Sequence, residues 1–139
     1  MTIRNLFYLL IVTLSFTHCK SGNPEAEKIG LNLSSVWIEL IDNEMYSESY
    51  FETSELLKKK VTEQSWVEQL TETRKPLGAV NTREVASVKY LNKLVGLPDG
   101  EFVIVIYTST FANGQSRLES ITSVHDTDSK WRIVKYFIK

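Results

Sequence analysis

The sequence predicts an α+β domain in which three N-terminal helices pack on a curved, four-stranded antiparallel meander. Two observations support this fold class. From about residue 25 to residue 74, apolar residues recur at spacings of three and four, which is the period of an amphipathic helix. Beyond Gly78 the period falls to two and short polar turns separate the apolar segments, a pattern typical of consecutive antiparallel strands.

The helical part divides into three predicted helices because two breaks interrupt it. Asp42-Asn43 ends the first helix, and Lys58-Lys59-Lys60 ends the second, since positive charge is favourable at a helix C-terminus. The alternative for these lysines is a basic patch that faces a membrane. Thr62 is the expected N-cap of the third helix, which Pro76 and Gly78 close. The predicted helices span 25–42, 45–59 and the segment between Thr62 and Pro76. The stripe of the first helix that is expected to pack on the sheet comprises Ile29, Leu33, Val36, Trp37, Leu40 and Ile41.

Four strands are predicted, over 83–91, 102–111, 116–125 and 131–138. In the second strand every residue from Phe102 to Tyr107 is β-branched or aromatic, and a Pro-Asp-Gly turn precedes it. Such a run leaves no polar face, so both faces of this strand are expected to be covered. The last strand also carries apolar residues on both faces. The sheet is therefore expected to curl around its helices or to cover its second face with a partner subunit.

The composition fits one globular domain preceded by a short extra segment. The chain has 139 residues, of which 42% are hydrophobic and 24% charged, and its formal net charge is −1. Because no global positive field would attract nucleic acid, a nucleic-acid partner is disfavoured. The single cysteine cannot form an internal disulfide, so the fold has to depend on its apolar core.

The N-terminus is typical of an export signal. Arg4 supplies a positive charge and the apolar segment 6–14 follows it, a segment too short to span a bilayer comfortably. This segment gives way to Ser15, Phe16, Thr17 and His18, and Cys19 follows them. The arrangement resembles a bacterial lipoprotein signal, in which the cysteine carries acyl chains such as palmitate. The expected organisation is a signal peptide over 1–18, a lipidated Cys19 with a tether over 19–27, and one domain over 28–139. Cleaved secretion and an uncleaved anchor are the alternatives.

The residues offer few routes to catalysis. There is no paired His or Cys spacing, glycine-rich phosphate loop or nucleophile elbow, so no metal, cofactor or catalytic residue is assigned. Asp42 and Glu119 are the carboxylates that could act as a base inside an aromatic pocket, where burial would raise the pKa. The alternatives are a helix end for Asp42 and a structural ion pair of Glu119 with Arg83, Arg117 or Arg132.

Several motifs occur between residues 35 and 139. They are Trp37, Asp42, Trp66, Arg74-Lys75-Pro76-Leu77-Gly78, Arg83, Leu97-Pro98-Asp99-Gly100-Glu101-Phe102, Thr108-Ser109-Thr110-Phe111-Ala112-Asn113, Glu119 and Trp131-Arg132-x-x-x-Tyr136-Phe137-Ile138. In this order they resemble the bacterial domain-of-unknown-function family 4019. The resemblance implies an exported bacterial protein with a cystatin-like or nuclear-transport-factor-like α+β fold. It implies no established activity, and hence no catalytic residues.

Two functions are compatible with these patterns. The leading expectation is a lipid-anchored, non-enzymatic domain of the cell envelope, on the periplasmic or outer surface, that binds a protein partner or a second copy through the second face of its sheet. The alternative is a small-molecule binder or isomerase-like enzyme with a cavity between helices and sheet. The residues expected in the pocket or interface are Trp37, Tyr46, Tyr50, Tyr107, Glu119 and Trp131.

Overall fold

The computed structural model describes residues 22–139, which form four helices followed by four strands. The helices are α1 (Pro24–Asp42), α2 (Tyr46–Phe51), α3 (Glu55–Lys58) and α4 (Glu63–Arg74), and the strands are β1 (Val80–Leu91), β2 (Phe102–Phe111), β3 (Ser116–His125) and β4 (Trp131–Ile138). The strands make one antiparallel sheet in the order β1-β2-β3-β4. The predicted α+β class is confirmed. The expected signal peptide and Cys19 lie outside the described residues.

The longest helices, α1 and α4, both begin at side-chain caps. Asn23 accepts a hydrogen bond from the Ala26 N–H at 3.1 Å, and Pro24 follows it at a position where the missing N–H costs nothing. Residues 24–27, assigned to the tether in the sequence, therefore belong to α1. Thr62 caps α4 by accepting from the Ser65 N–H at 3.2 Å, which confirms its predicted role.

The segment predicted as one helix over 45–59 is two helices, α2 and α3. Between them Thr53 forms a parallel bridge with Ile133, and the Ser54 N–H donates to the Ile133 carbonyl at 2.8 Å. Ser54 then caps α3 by accepting from the Leu56 N–H at 3.1 Å. The single-helix prediction is wrong because these backbone groups pair with the outer edge of β4 instead of continuing the helix.

The face that α1 presents to the sheet differs from the predicted stripe. Its buried residues are Ala26, Gly30, Ser34, Trp37, Ile38 and Ile41, whereas Ile29 and Val36 are 36% and 67% exposed. Small residues at a spacing of four allow α1 to lie close to β2. A Cβ on Gly30 would stand only 2.5 Å from the Val103 Cβ. The buried face of α1 is therefore the one whose small side chains let the helix lie close to the sheet, not the one with the largest apolar side chains.

The main core lies between the helices and the sheet. Its aromatic centre joins α1, α4 and β4, since the Trp37 ring lies 6.2 Å from that of Trp66 and 5.6 Å from that of Tyr136. Both indole N–H groups bind Ser49 on α2: Trp37 donates to its carbonyl and Trp66 to its hydroxyl, each at 3.0 Å. The buried polar edges of both tryptophans are thus satisfied.

The second face of the sheet is covered by the chain itself at one end. Residues opposite each other in the register share a face, so Phe102 and Val124 point away from Val103 and α1. There Leu94 and Leu97, from the β1–β2 loop, pack with them in a second hydrophobic cluster. Further along β2, Ile104 and Ile106 are half-buried and lie opposite polar residues: Lys89 and Ser87 on β1, Thr122 and Ser120 on β3. The broad apolar face expected from β2 is therefore limited to two isoleucines among polar neighbours.

Candidate functional site

Four charged side chains meet between the helices and the sheet. Asp42 ends α1, Arg74 ends α4, Arg83 lies on β1 and Glu119 on β3. Helix ends and strands far apart in sequence bring these two carboxylates and two guanidiniums together, and the charges balance. We call these four residues the ionic cluster.

Glu119 is completely buried and accepts hydrogen bonds at both oxygens. At Oε1 the donors are the Ser109 hydroxyl at 2.5 Å and two Arg83 nitrogens at 2.9 and 2.8 Å. At Oε2 they are the Tyr136 hydroxyl at 2.7 Å and Arg74 Nη1 at 3.3 Å. A buried carboxylate requires this degree of pairing, because an isolated buried charge is very costly.

Asp42 completes the ionic cluster nearer the surface, with its side chain 26% exposed. Its carboxylate accepts hydrogen bonds from Arg74 Nη2 at 2.7 Å and from two Arg83 nitrogens at 2.5 and 2.9 Å. Burial alone would lower the pKa of Arg83, but the hydrogen bonds and charges of Asp42 and Glu119 outweigh it and raise that pKa above its ordinary value. Arg83 is therefore held as a cation.

The ionic cluster partly confirms the sequence analysis. Of the three arginines considered as partners of Glu119, Arg83 is one, whereas Arg117 binds Gln115 and Arg132 binds two aspartates in the β3–β4 turn. Arg74 was missed as a partner. Its sequence signal, a basic residue in the last turn of a helix, is also expected for an arginine that only neutralises helix-end carbonyls.

The six residues expected in one pocket or interface occupy different environments. Tyr46, Tyr107 and Glu119 lie inside the packed core, where burial raises the pKa of Tyr46 and Tyr107 above their ordinary values. The Tyr107 hydroxyl bonds to that of Ser34 at 2.9 Å, and the Tyr50 hydroxyl donates to the Val61 carbonyl at 3.0 Å. These four residues do not line a common cavity.

The other two residues, Trp37 and Trp131, share an open groove of about 830 Å³. Its floor and walls come from the C-terminal half of α1, from α2 with the residues beside it, and from the start of β4. Three of its apolar side chains are unusually exposed: Val36 at 67%, Phe51 at 60% and Met45 at 40%. Its polar rim comprises Glu39, Asn43, Glu48, Glu52, Lys130 and Arg132. We call this feature the α1–α2 groove.

Beside the α1–α2 groove, Trp131 packs against a small hydrogen-bonded network of His125, Glu101 and Tyr90. Its ring stacks on that of His125 at 5.2 Å, and His125 Nδ1 lies 3.0 Å from a Glu101 oxygen. The other Glu101 oxygen accepts from the Tyr90 hydroxyl at 3.0 Å. These contacts hold together the strand ends next to the β1–β2 loop.

Residues 22–139 contain neither a cluster of metal-ligating side chains nor a helix that could span a membrane. No group of three or more His, Cys, Asp or Glu side chains in this part of the chain is arranged to hold a metal ion. None of its helices combines the length and apolar character needed to cross a bilayer.

The fold and site define a small α+β domain with a neutralised internal ionic cluster and one open, largely apolar groove. The family model described as "Protein of unknown function (DUF4019)" matches residues 33–136, and the chain belongs to this family. Comparisons with curated proteins and with solved structures gave no match. Several residues that carried the resemblance in the sequence now lie in contact in and around the ionic cluster: Asp42, Arg74, Arg83, Ser109, Glu119 and Tyr136.

Proposed function

We propose that this protein is an exported, lipid-anchored domain that binds a partner protein through the α1–α2 groove and catalyses no reaction. The observation that carries the binding role is the exposure of Val36, Met45 and Phe51 along one groove. Large apolar side chains gathered in this way are characteristic of interaction sites. The proposed surface is thus the helical side of the domain, not the second face of the sheet.

The rim charges suggest the chemistry of the partner. Glu39, Glu48 and Glu52 are exposed along the helical wall, and within residues 22–139 none of them forms an ion pair. On the opposite wall Arg132 is already neutralised by Asp126 and Asp128. The rim therefore has an excess of negative charge. It favours a partner segment that presents apolar side chains to the groove and lysine or arginine to the glutamates.

The ionic cluster supports a non-catalytic role. A general base needs a carboxylate oxygen that can reach a substrate proton. Both Glu119 oxygens are instead occupied by arginine, serine and tyrosine donors, and Asp42 is held by two arginines. The carboxylates of the groove lie on its exposed rim rather than inside an enclosed pocket.

Photo-cross-linking in a bacterial host tests the groove. With benzoylphenylalanine in place of Phe51, we expect an adduct to one protein, linked through an apolar peptide that contains lysine or arginine. Glu48→Lys with Glu52→Lys should abolish the adduct, because the rim would then repel that peptide. The matched control places the cross-linker at Leu118, which is 49% exposed on β3. Equal adducts at both positions, or adducts that survive the charge reversal, would show that the proposed groove contact is wrong.

A small apolar ligand is the second candidate occupant. The groove volume of about 830 Å³ lies within the range of small-molecule sites, roughly 300–1,000 Å³, and two tryptophans line it. In that case native mass spectrometry of the membrane-extracted protein should show a bound small molecule that Phe51→Ser removes. A bound molecule without any protein adduct at position 51 would favour this second function over the first.

The proposed anchor depends on Cys19, which follows the apolar segment 6–14. One acyl chain binds membranes only weakly, at about 0.8 kcal/mol per buried methylene, whereas two or three chains hold a protein stably. Growth with a palmitate analogue should label the wild-type protein, and Cys19→Ala should lose the label. Equal labelling of both forms would contradict lipidation at this residue.

A further inference from the structure

We infer that one end of the domain, formed by the β1–β2 loop and the C-terminus of α3, rests on the headgroups of an anionic phospholipid bilayer. This inference depends on the proposed anchor, because the anchor determines which end of the domain faces the membrane. It adds an orientation and a second, lipid-facing surface that is separate from the α1–α2 groove.

The chain enters the domain at the end that carries the β1–β2 loop. Glu27, in the first turn of α1, accepts a hydrogen bond from the Tyr90 N–H at 3.0 Å. Tyr90 is the next-to-last residue of β1, so α1 begins at the end of the sheet that carries the β1–β2 loop. Five residue steps separate Cys19 from Pro24. Because an extended chain covers at most ~3.6 Å per residue, an anchor at Cys19 would hold this end within ~18 Å of the bilayer.

The side chains at that end combine an exposed aliphatic residue with lysines. Val95, at the tip of the loop, is fully exposed, and its neighbour Lys93 has a side chain that is 75% exposed. The Lys60 ammonium donates to the Gly96 carbonyl at 2.5 Å, which joins the loop to the end of α3. Lys58 and Lys59 lie next to it in sequence. An exposed aliphatic side chain surrounded by lysines suits an interface of phosphates and acyl chains.

The surface formed by the β1–β2 loop and the C-terminus of α3 has a net positive charge, whereas the first turn of α1 at the same end carries Glu25 and Glu27. Two of its four lysines have carboxylate neighbours at 3.3 Å: Lys58 with Glu55 and Lys93 with Asp99. Four positive charges minus two negative ones leave an excess of two, carried by Lys59 and Lys60. The nearby Asp126 is already bound by Arg132 at 2.9 Å. Since the chain as a whole has a net charge of −1, this excess is local and directional.

Cross-linking to lipid tests the orientation with the full chain. The protein is reconstituted, through its own N-terminal segment, into vesicles of phosphatidylcholine with or without phosphatidylglycerol, and benzoylphenylalanine replaces Val95. We expect lipid adducts that increase with phosphatidylglycerol and decrease in high salt. Lys59→Gln with Lys60→Gln should lower the contact equilibrium constant by about 25-fold, at about fivefold per lysine.

Controls at the other end of the sheet match the charge and apolar character of the test site. Lys75→Gln with Lys139→Gln removes two exposed lysines there and should leave the adducts at position 95 unchanged, and a cross-linker at Leu118 should give few lipid adducts. Equal yields at positions 95 and 118, adducts at 95 that do not respond to phosphatidylglycerol, or a protein adduct at 95 would overturn the inference. The lipid cross-linking can also be measured on the chain that keeps its N-terminal segment. A failure of Cys19 acylation is detected separately, by loss of the palmitate label, and is thus distinguished from a failure of the proposed orientation.

Discussion

Glu119 receives hydrogen bonds from four side chains on four different elements: Ser109 on β2, Arg83 on β1, Arg74 on α4 and Tyr136 on β4. The free-energy cost of burying this carboxylate is offset only while these donors remain in place. The donors in turn need the carboxylate, because without it their own buried polar groups would lose a partner. Breaking a buried ion pair by removing one partner is strongly destabilising for this reason.

Glu119→Ala should therefore lower the free energy of unfolding by about 3–5 kcal/mol. The substitution leaves Arg74 and Arg83 with Asp42 as their one carboxylate partner in the cluster, so a buried cation and a half-buried one would face a single anion. Urea unfolding, followed by the fluorescence of Trp37 and Trp66, measures the change.

Asp128→Ala is the matched control, since it removes a carboxylate from a surface pair with Arg132. Exposed pairs contribute little, because solvent screens them and the side chains lose entropy on pairing. If Glu119→Ala and Asp128→Ala gave the same unfolding midpoint, the ionic cluster would not be the structural centre described above.

At the scale of elements, the contact of α1 with β2 shows a conflict between local propensity and packing. Alanine is the better helix former by about 1 kcal/mol, so Gly30→Ala would stabilise an isolated helix. In the folded protein its Cβ would stand 2.5 Å from both Val103 Cβ and Cγ1, far inside normal contact distance. The cost of overpacking is expected to be the larger of the two effects.

Gly30→Ala should thus destabilise the domain by about 1–3 kcal/mol, with the packing cost exceeding the propensity gain. Because the Cβ and Cγ1 atoms of Val103 are both in the way, Val103→Gly, which removes both, should make Gly30→Ala less harmful, and a double-mutant cycle in urea should show this coupling. Ser35→Ala, on the exposed side of α1, is the helix control. Strictly additive effects of the two core substitutions would refute the close contact.

The strands were predictable because period-two patterns and turn residues coincide: β2, β3 and β4 have the predicted bounds, and β1 begins three residues earlier than expected. The break between α2 and α3 was not predictable in the same way, since it depends on pairing with Ile133, about 80 residues away. The same holds for Arg74 and Asp42, which are 32 positions apart and meet only because two helix ends converge. Local patterns predicted the elements, whereas long-range pairing determined the site.

At the scale of the whole molecule, buried tyrosines on three elements couple stability to alkaline pH. Burial raises the pKa of Tyr46, Tyr107 and Tyr136 above the ordinary value of 10.0, and for Tyr136 the charge of Glu119 adds to it. A raised pKa in the folded state means that the stabilisation is complete below pH 10 and is lost as the pH rises through the folded values.

The free energy of unfolding should consequently decrease above pH 10, by up to about 1.4 kcal/mol per pH unit for each such tyrosine. Tyr136→Phe removes one of the titrating groups, so its stability curve should be less steep than that of the wild type in this range. Urea unfolding at a series of alkaline pH values compares the two slopes, and parallel curves would show that Tyr136 does not contribute to the dependence.

The pairing of Thr53 and Ser54 with Ile133 has a further consequence for the protein in a crowded compartment. β4 is an edge strand, and an open edge offers its backbone groups to strands of other molecules. The segment between α2 and α3 occupies part of that edge, through the parallel bridge and the Ser54 hydrogen bond. At the opposite edge, β1 is interrupted by two register shifts. Both borders of the sheet are therefore poor templates for aggregation by strand addition.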